Sequence, residues 1–373
     1  MADGKVFPTD RMTSRERLLA AYRGQEVDRI PWWAKATNDN WRAGQPAAIA
    51  RMTDAELLDF IHADGLFGVR FAHTVLRPRI TVKTISSTYS RLVVTRTPDG
   101  DLTERWQHDP RTRSWHPVEF PIKTKEDITR FRWLYADVTI ENDIASLDAG
   151  RQRVRDIGQR GVTVQWWGTS PLMDLVEHFA GPVNTTYMLA DFPREMAELM
   201  DLMHADCLAR ASHVARHSPA DVIVSGENTS TTLISPRQFE EHCLGRLCEY
   251  GRAIESAGKM HELHMCGHLK ALLGRIDTIP AASIEAFTAP TLGNTRLADG
   301  RSKAPGKTLI GGTNAMIWLR SIDEIKAYIQ TELDACPNHR RIILTTAGVA
   351  PQFCPAETLR EIGAWLAQFR PRM

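Results

Sequence analysis

The sequence predicts an α/β chain folded as a (β/α)8 TIM barrel with an antiparallel β-hairpin insertion near residues 80–122. Three observations predict it. From Val222 onward, short apolar runs alternate with longer amphipathic ones, and strands separated by helices pair in parallel through crossovers. Strand-like runs at Ile30, Gly68, Val162, Val222, Met260, Ser283, Thr308 and Arg341 number about eight, at which a parallel sheet closes on itself. Between Ile80 and Ile122 the pattern switches to alternating Thr, Val, Tyr and Trp around Pro98-Asp99-Gly100, a hairpin signature.

The elements follow in order. Thr13-x-x-Glu16 is a capping box that opens a first helix within residues 12–24, striped by Leu18, Leu19 and Tyr22 and ended by Gly24. Val27–Ala34 reads as the first strand, Asp54–His62 as a helix and Gly68–His73 as the next strand. After the insertion, Thr124–Arg130 and Asn142–Gly158 return to helical patterning. Val162–Trp167 is a buried strand, and Ser170 stands where it would cap a helix over Leu172–Phe179. A long helix spans Pro193–Arg216. Strands are then expected at Val222–Ser225, Met260–Cys266, Ser283–Phe287, Thr308–Gly311 and Arg341–Thr345. Helices are expected at Pro236–Ala257, Leu269–Ile276, Ile322–Leu333 and Pro355–Phe369.

Barrels with insertions commonly reach this length, so one domain over residues 1–373 is expected. A hydrophobic share of 43%, a charged share of 24% and a net charge of +1 give no bulk attraction to nucleic acid or membrane. Residues 1–11 lack a secretory apolar core and no long apolar run suggests a membrane span, so a cytoplasmic location is expected. Six scattered cysteines without a CxxC pair read as thiols or ligands. The dinucleotide, P-loop and HExxH signatures are absent, so nucleotide cofactors are not indicated.

Active sites of such barrels lie at the carboxyl ends of the strands. His264 and Cys266 fall there, and strand alternation turns both to one face, with Leu263 and Met265 on the other. An imidazole and a thiolate so spaced suit zinc, whereas His261 faces away and reads as structural. His268 ranks below the pair. Glu227, after a buried strand, reads as a third ligand, a general acid or base, or an anchor for backbone amides. Glu285 carries the same ambiguity, and with Asn228 it is a substrate-binding candidate. Cys354 is an alternative third ligand. Trp32, Trp33, Trp166 and Trp167 sit at the expected mouth, where one of each pair can face inward to wall a pocket for a planar ring or a methylammonium group.

Four stretches carry a family resemblance: Arg15 to Pro31, Ile234-Ser-Pro236, His264-Met-Cys-Gly267 and Leu309-Ile-Gly-Gly312. In this order they resemble the uroporphyrinogen decarboxylase superfamily, and within it the corrinoid (cobalamin)-dependent methyltransferase branch. The resemblance implies a (β/α)8 barrel and a zinc ion held by His264, Cys266 and a later cysteine. At that later position this chain has Gly348, so Glu227 or Cys354 is the expected substitute. The decarboxylase branch fits less well, since its Arg-Gln-Ala-Gly-Arg segment has no counterpart after Pro31.

An oxygen in place of a thiolate leaves the metal more Lewis-acidic, which favours a methyl ether as substrate. The expected function is therefore zinc-dependent transfer of a methyl group from a small methylated substrate, a methoxylated aromatic, to the Co(I) corrinoid of a carrier protein, that is, O-demethylation. In that reading Glu227, His264 and Cys266 are catalytic. A methylcobalamin:thiol methyltransferase is the alternative, and a metal-free decarboxylase or binding protein the second. The chain has no Asp-x-His-x-x-Gly element, so the corrinoid would come from a partner protein. Oligomeric state is left open, a homodimer being one option.

Overall fold

Asp64, fully buried, fastens the two ends of the central sheet together. Its N–H donates to the Trp32 carbonyl (2.7 Å), and its carboxylate accepts the Trp32 N–H (3.0 Å). The structure, a computed structural model, describes residues 4–71 and 73–372. Its main sheet has eight strands: β1 (Trp32–Trp33), β2 (Gly65–Gly68), β3 (Gly161–Gly168), β4 (Val222–Ser225), β5 (Met260–His264), β6 (Ser283–Phe287), β7 (Thr308–Gly311) and β8 (Ile342–Thr345). They pair in the order β1-β8-β7-β6-β5-β4-β3-β2, every pair parallel, and the Asp64 bonds bring the two edge strands together into a (β/α)8 barrel.

A buried carboxylate persists only when paired. Burial pushes the Asp64 carboxyl up, but Arg17 (2.6 Å) and Arg29 (3.0 Å) outweigh it and hold the group below the usual range. The basic and acidic residues between Arg15 and Pro31 are thus a structural lock at the barrel's amino end.

Alternation sorts the side chains into two cores. Leu18, Ala21 and Tyr22 of the first helix, α1 (Ser14–Arg23), pack with Leu66, Val162, Val164, Val222, Val224, Ile310 and Ile343, so α1 plugs one end of the barrel. Leu263, Met265, Ile223, Ile284 and Leu309 belong to the outer core shared with the surrounding helices. No helix among the described residues is long and apolar enough to cross a membrane.

Several elements differ from expectation. The insertion is a four-stranded antiparallel meander (Thr81–Ser86, Ser90–Thr97, Gly100–Asp109, Ser114–Glu119) rather than one hairpin, with the turn at Pro98-Asp99 in place. The strand expected over Gly68–His73 is β2 at Gly65–Gly68, because it begins directly after the Asp64 anchor. His73–Leu76 pairs antiparallel with Thr139–Asn142 instead. Ala72, within that expected strand, lies outside the described residues, as do residues 1–3 and 373 of the expected domain. Ser170 makes no side-chain cap; its hydroxyl donates to Glu227 (2.6 Å). The helix it precedes becomes a π-turn at Leu175–Phe179.

Candidate active site at the barrel mouth

β5 sets up the site. Glu262 and His264 face the barrel interior, and Cys266, two residues past the strand, is exposed at the rim. His261 points outward between Ser225 Oγ (2.8 Å) and the Pro280 carbonyl (2.9 Å); burial pushes its pKa down to about 4. The loop after β4 is laid over the end of β5: Asn228 N–H donates to the His264 carbonyl (3.0 Å), and Ser230 Oγ accepts the His268 N–H (3.0 Å). Gly267 has φ +130°, and a Cβ there would sit 2.7 Å from Ser230 Cβ. Only glycine permits that approach.

His264 and Glu285 are register partners on β5 and β6, and the imidazole Nδ1 is hydrogen-bonded to Glu285 Oε2. The other oxygen of Glu285 receives Lys35 Nζ (2.5 Å), which also donates to the Ala347 carbonyl (3.3 Å) and lies over the Trp33 ring (5.1 Å). Burial opposes charge on the imidazole, but hydrogen bonding to Cys266 and Glu285 and the charge of Glu285 lift it to about 9. Burial likewise pushes Glu285 up, yet the charges of Lys35 and His264 hold it well below the usual carboxylate range. Below them Glu262 accepts from Tyr22 (2.6 Å) and Ser283 (2.9 Å), joining the α1 plug to the mouth.

On the other side of His264 the Cys266 thiol donates to Asn228 Oδ1 (3.1 Å), and Asn228 Nδ2 donates to Glu177 Oε2 (3.0 Å). Glu177, in the π-turn after β3, keeps its second oxygen buried without a hydrogen-bond partner. Burial raises its pKa, against the Asn228 hydrogen bond and the nearby His178 and His264. The Trp166 ring, half exposed, lies 5.0 Å from the His264 ring.

The remaining candidates fall elsewhere. Trp32 stacks on Trp318 in the outer core, and Trp167 is buried against Tyr250 with its indole N–H on Ser225 Oγ (2.8 Å), so neither lines the mouth; Trp33 and Trp166 are the inward members. Glu227 is fully buried and turned to the start of the next helix, taking the Ser170 N–H (3.0 Å), Ser170 hydroxyl (2.6 Å) and Thr169 hydroxyl (3.1 Å). It anchors backbone and hydroxyls, with a pKa raised to about 7 by burial. Cys354 is buried in the outer core, its thiol pushed up to about 12. Gly348 lies in the loop after β8, where an added Cβ meets nothing within 4 Å. Among the described residues no three His, Cys, Asp or Glu side chains converge on one metal position as they stand.

Lys35 and Glu177 escaped the sequence reading. Lys35 had a partial signal in the alternation that turns Trp33 inward, but it lies two residues past β1 and takes a positive φ (+49°). Glu177 had none, because its placement depends on the extra residue of a π-turn.

The geometry can be set beside known proteins. The family model described as Uroporphyrinogen decarboxylase (URO-D) matches residues 173–363, a span that takes in β4 to β8 and the His264–Gly267 turn. Among solved structures, a methyltransferase from Methanosarcina mazei is similar over 96% of this chain and 99% of its own, with a TM-score of 0.62 and 16% identity, a likeness that speaks for the fold. An L-Ala-D/L-Glu epimerase matches 79% of this chain and 83% of its own at 13% identity, but its TM-score of 0.25 carries no weight. No curated protein matches.

Proposed function

The chain belongs to the uroporphyrinogen decarboxylase (URO-D) family, and from that premise we propose that it is a methyltransferase of this superfamily. In our reading it takes a methyl group from a small methoxylated aromatic and passes it to the corrinoid of a carrier protein, with a zinc ion as activator. One observation carries the reading: an inward imidazole and a rim thiol stand side by side at the end of β5, with a buried carboxylate holding the imidazole. An ionised Glu285 only accepts, so Nδ1 keeps its hydrogen, and Nε2, on giving up its own proton, is the nitrogen open to a metal. Metal-bound histidines are typically oriented by such a carboxylate. His264 through Nε2 and Cys266 through Sγ are therefore the residues that would hold zinc. When bound, zinc supplies a Lewis acid for the negative charge developing on the leaving oxygen, and the corrinoid supplies the nucleophile.

The chain's own residues do the rest. Trp166 offers an exposed aromatic face beside His264 for an aryl ring. Lys35 balances Glu285, so the carboxylate stays ionised and keeps the His264 ring in one orientation. Thiol methylation uses the same donor pair and is the second reading. Metal-free decarboxylation has less support, because Lys35, the cation beside His264 and Glu285, is already committed to Glu285.

The test is methyl transfer to free cob(I)alamin, followed by its absorbance, from a panel of methoxybenzenes and methoxybenzoates, using zinc-supplemented protein. The expected result is turnover with at least one substrate, abolished in His264→Ala and Cys266→Ala. Absence of turnover with every ether, alongside turnover with a thiol and methylcobalamin, would establish the second reading instead.

A further inference from the structure

Catalytic zinc takes three protein ligands and keeps one position open, and His264 and Cys266 provide two. Position 348 has no side chain to offer. Glu227 spends its oxygens on Ser170 and Thr169, Cys354 is walled into the outer core, and Glu285 is shared between His264 and Lys35.

Glu177 differs from all of these. Its Oε1 is buried and makes no hydrogen bond, a costly state for a carboxylate oxygen and one that a bound ligand would relieve. Its Oε2 is held by Asn228 Nδ2, and Oδ1 of the same amide takes the Cys266 thiol hydrogen. Asn228 thereby keys the carboxylate to the thiol. The amide is itself fixed by the bond from its backbone N–H to the His264 carbonyl. The π-turn at Leu175–Phe179 that carries Glu177 is a feature frequent at functional sites.

Resting on the zinc reading above, we propose that Glu177 is the third zinc ligand of this chain, in place of the sulfur that the family resemblance implies at position 348, where this chain has glycine. The side chains as they stand hold the carboxylate one amide away from the thiol, so binding zinc would require Glu177 and Cys266 to close on it, with the thiol proton released to solvent. The resulting nitrogen, sulfur and oxygen donor set places less charge on the metal than a set with two sulfurs. It suits an acceptor role toward an ether oxygen, consistent with a methoxylated substrate.

The experiment measures zinc content and zinc affinity, by competition with a chromophoric chelator, for the wild type, Glu177→Gln, Glu177→Ala, Glu227→Gln and the double variant Glu177→Ala/Gly348→Cys. Cobalt(II)-substituted protein adds a spectrum that reports the donor set. The expected result is zinc binding by the wild type, weakened at least about tenfold in both single Glu177 variants, since losing even a supporting group costs that much. Glu227→Gln should bind as the wild type does. The double variant should regain affinity and gain sulfur-to-cobalt charge-transfer intensity. Equal affinity in the wild type and both Glu177 variants would overturn the assignment of Glu177 and leave the zinc reading standing. A folded wild type that takes up no zinc would overturn both.

Discussion

Glu285 and His264 stand opposite each other across β5 and β6, and the carboxylate of one fixes Nδ1 of the other. Parallel register brings the two residues together from sequence positions 21 apart. Removing the charge while keeping the shape isolates what the pair does. Glu285→Gln should lower zinc affinity about 10- to 100-fold, as loss of an orienting carboxylate does. In zinc-free protein the His264 titration, followed by NMR, should move from about 9 towards its ordinary 6.5. A ring that still titrates at about 9 in the variant would assign the shift to Cys266 alone.

The paired tryptophans make opposite predictions. Trp166 is half exposed beside His264, so Trp166→Ala should change stability by less than about 0.5 kcal/mol while raising KM for an aromatic substrate. Trp167 is buried and hydrogen-bonded to Ser225, so Trp167→Ala should cost about 3–5 kcal/mol in a denaturant titration. Equal effects of the two changes on stability would contradict the inward and outward assignment.

Lys35 and Glu285 form an ion pair with little solvent access, their side chains 14% and 3% exposed. Breaking a buried pair from one side costs up to about 3–5 kcal/mol, less here because His264 still faces Glu285, and removing both partners costs less again. Lys35→Met should therefore destabilise the protein more than Lys35→Met/Glu285→Gln does. The double-mutant cycle should give a coupling of roughly 1–3 kcal/mol. Additive single effects would mean that the pair is not coupled in solution.

Where a strand stays regular, the site was readable from spacing. Period-two alternation places His264 with Cys266, turns one tryptophan of each pair inward without saying which, and sends His261 to the outer core. The capping box at Thr13 and Glu16 is likewise local chemistry and forms as read. Glu227 obeys the same alternation, since Ser225 faces outward to Trp167 and His261, and Glu227, two residues on, faces outward too; what spacing does not give is its partners, the Ser170 and Thr169 donors of another loop. Ser170 carries a true N-cap signature, yet a tertiary partner, the Glu227 carboxylate, claims its hydroxyl. Glu177 depends on a π-turn, and a π-turn leaves no periodic trace.

Glu227 supplies a prediction about pH. Burial raises its pKa from 4.5 to about 7, against the hydrogen bonds from Ser170 and Thr169. A carboxyl whose folded pKa lies above its unfolded value binds more protons in the folded state between the two. Its stabilising contribution is complete below 4.5 and is lost as pH rises to 7. At roughly 1.4 kcal/mol per unit the loss is about 3 kcal/mol. Glu227→Gln, which stays neutral and keeps an acceptor for Ser170 N–H, should remove that slope. Urea unfolding at pH 5 and pH 8 should then show the wild type losing more stability than the variant over this interval, with the variant overtaking it on the alkaline side. Parallel profiles for the two proteins would mean that Glu227 is already ionised at pH 5, its charge carried by the Ser170 and Thr169 donors.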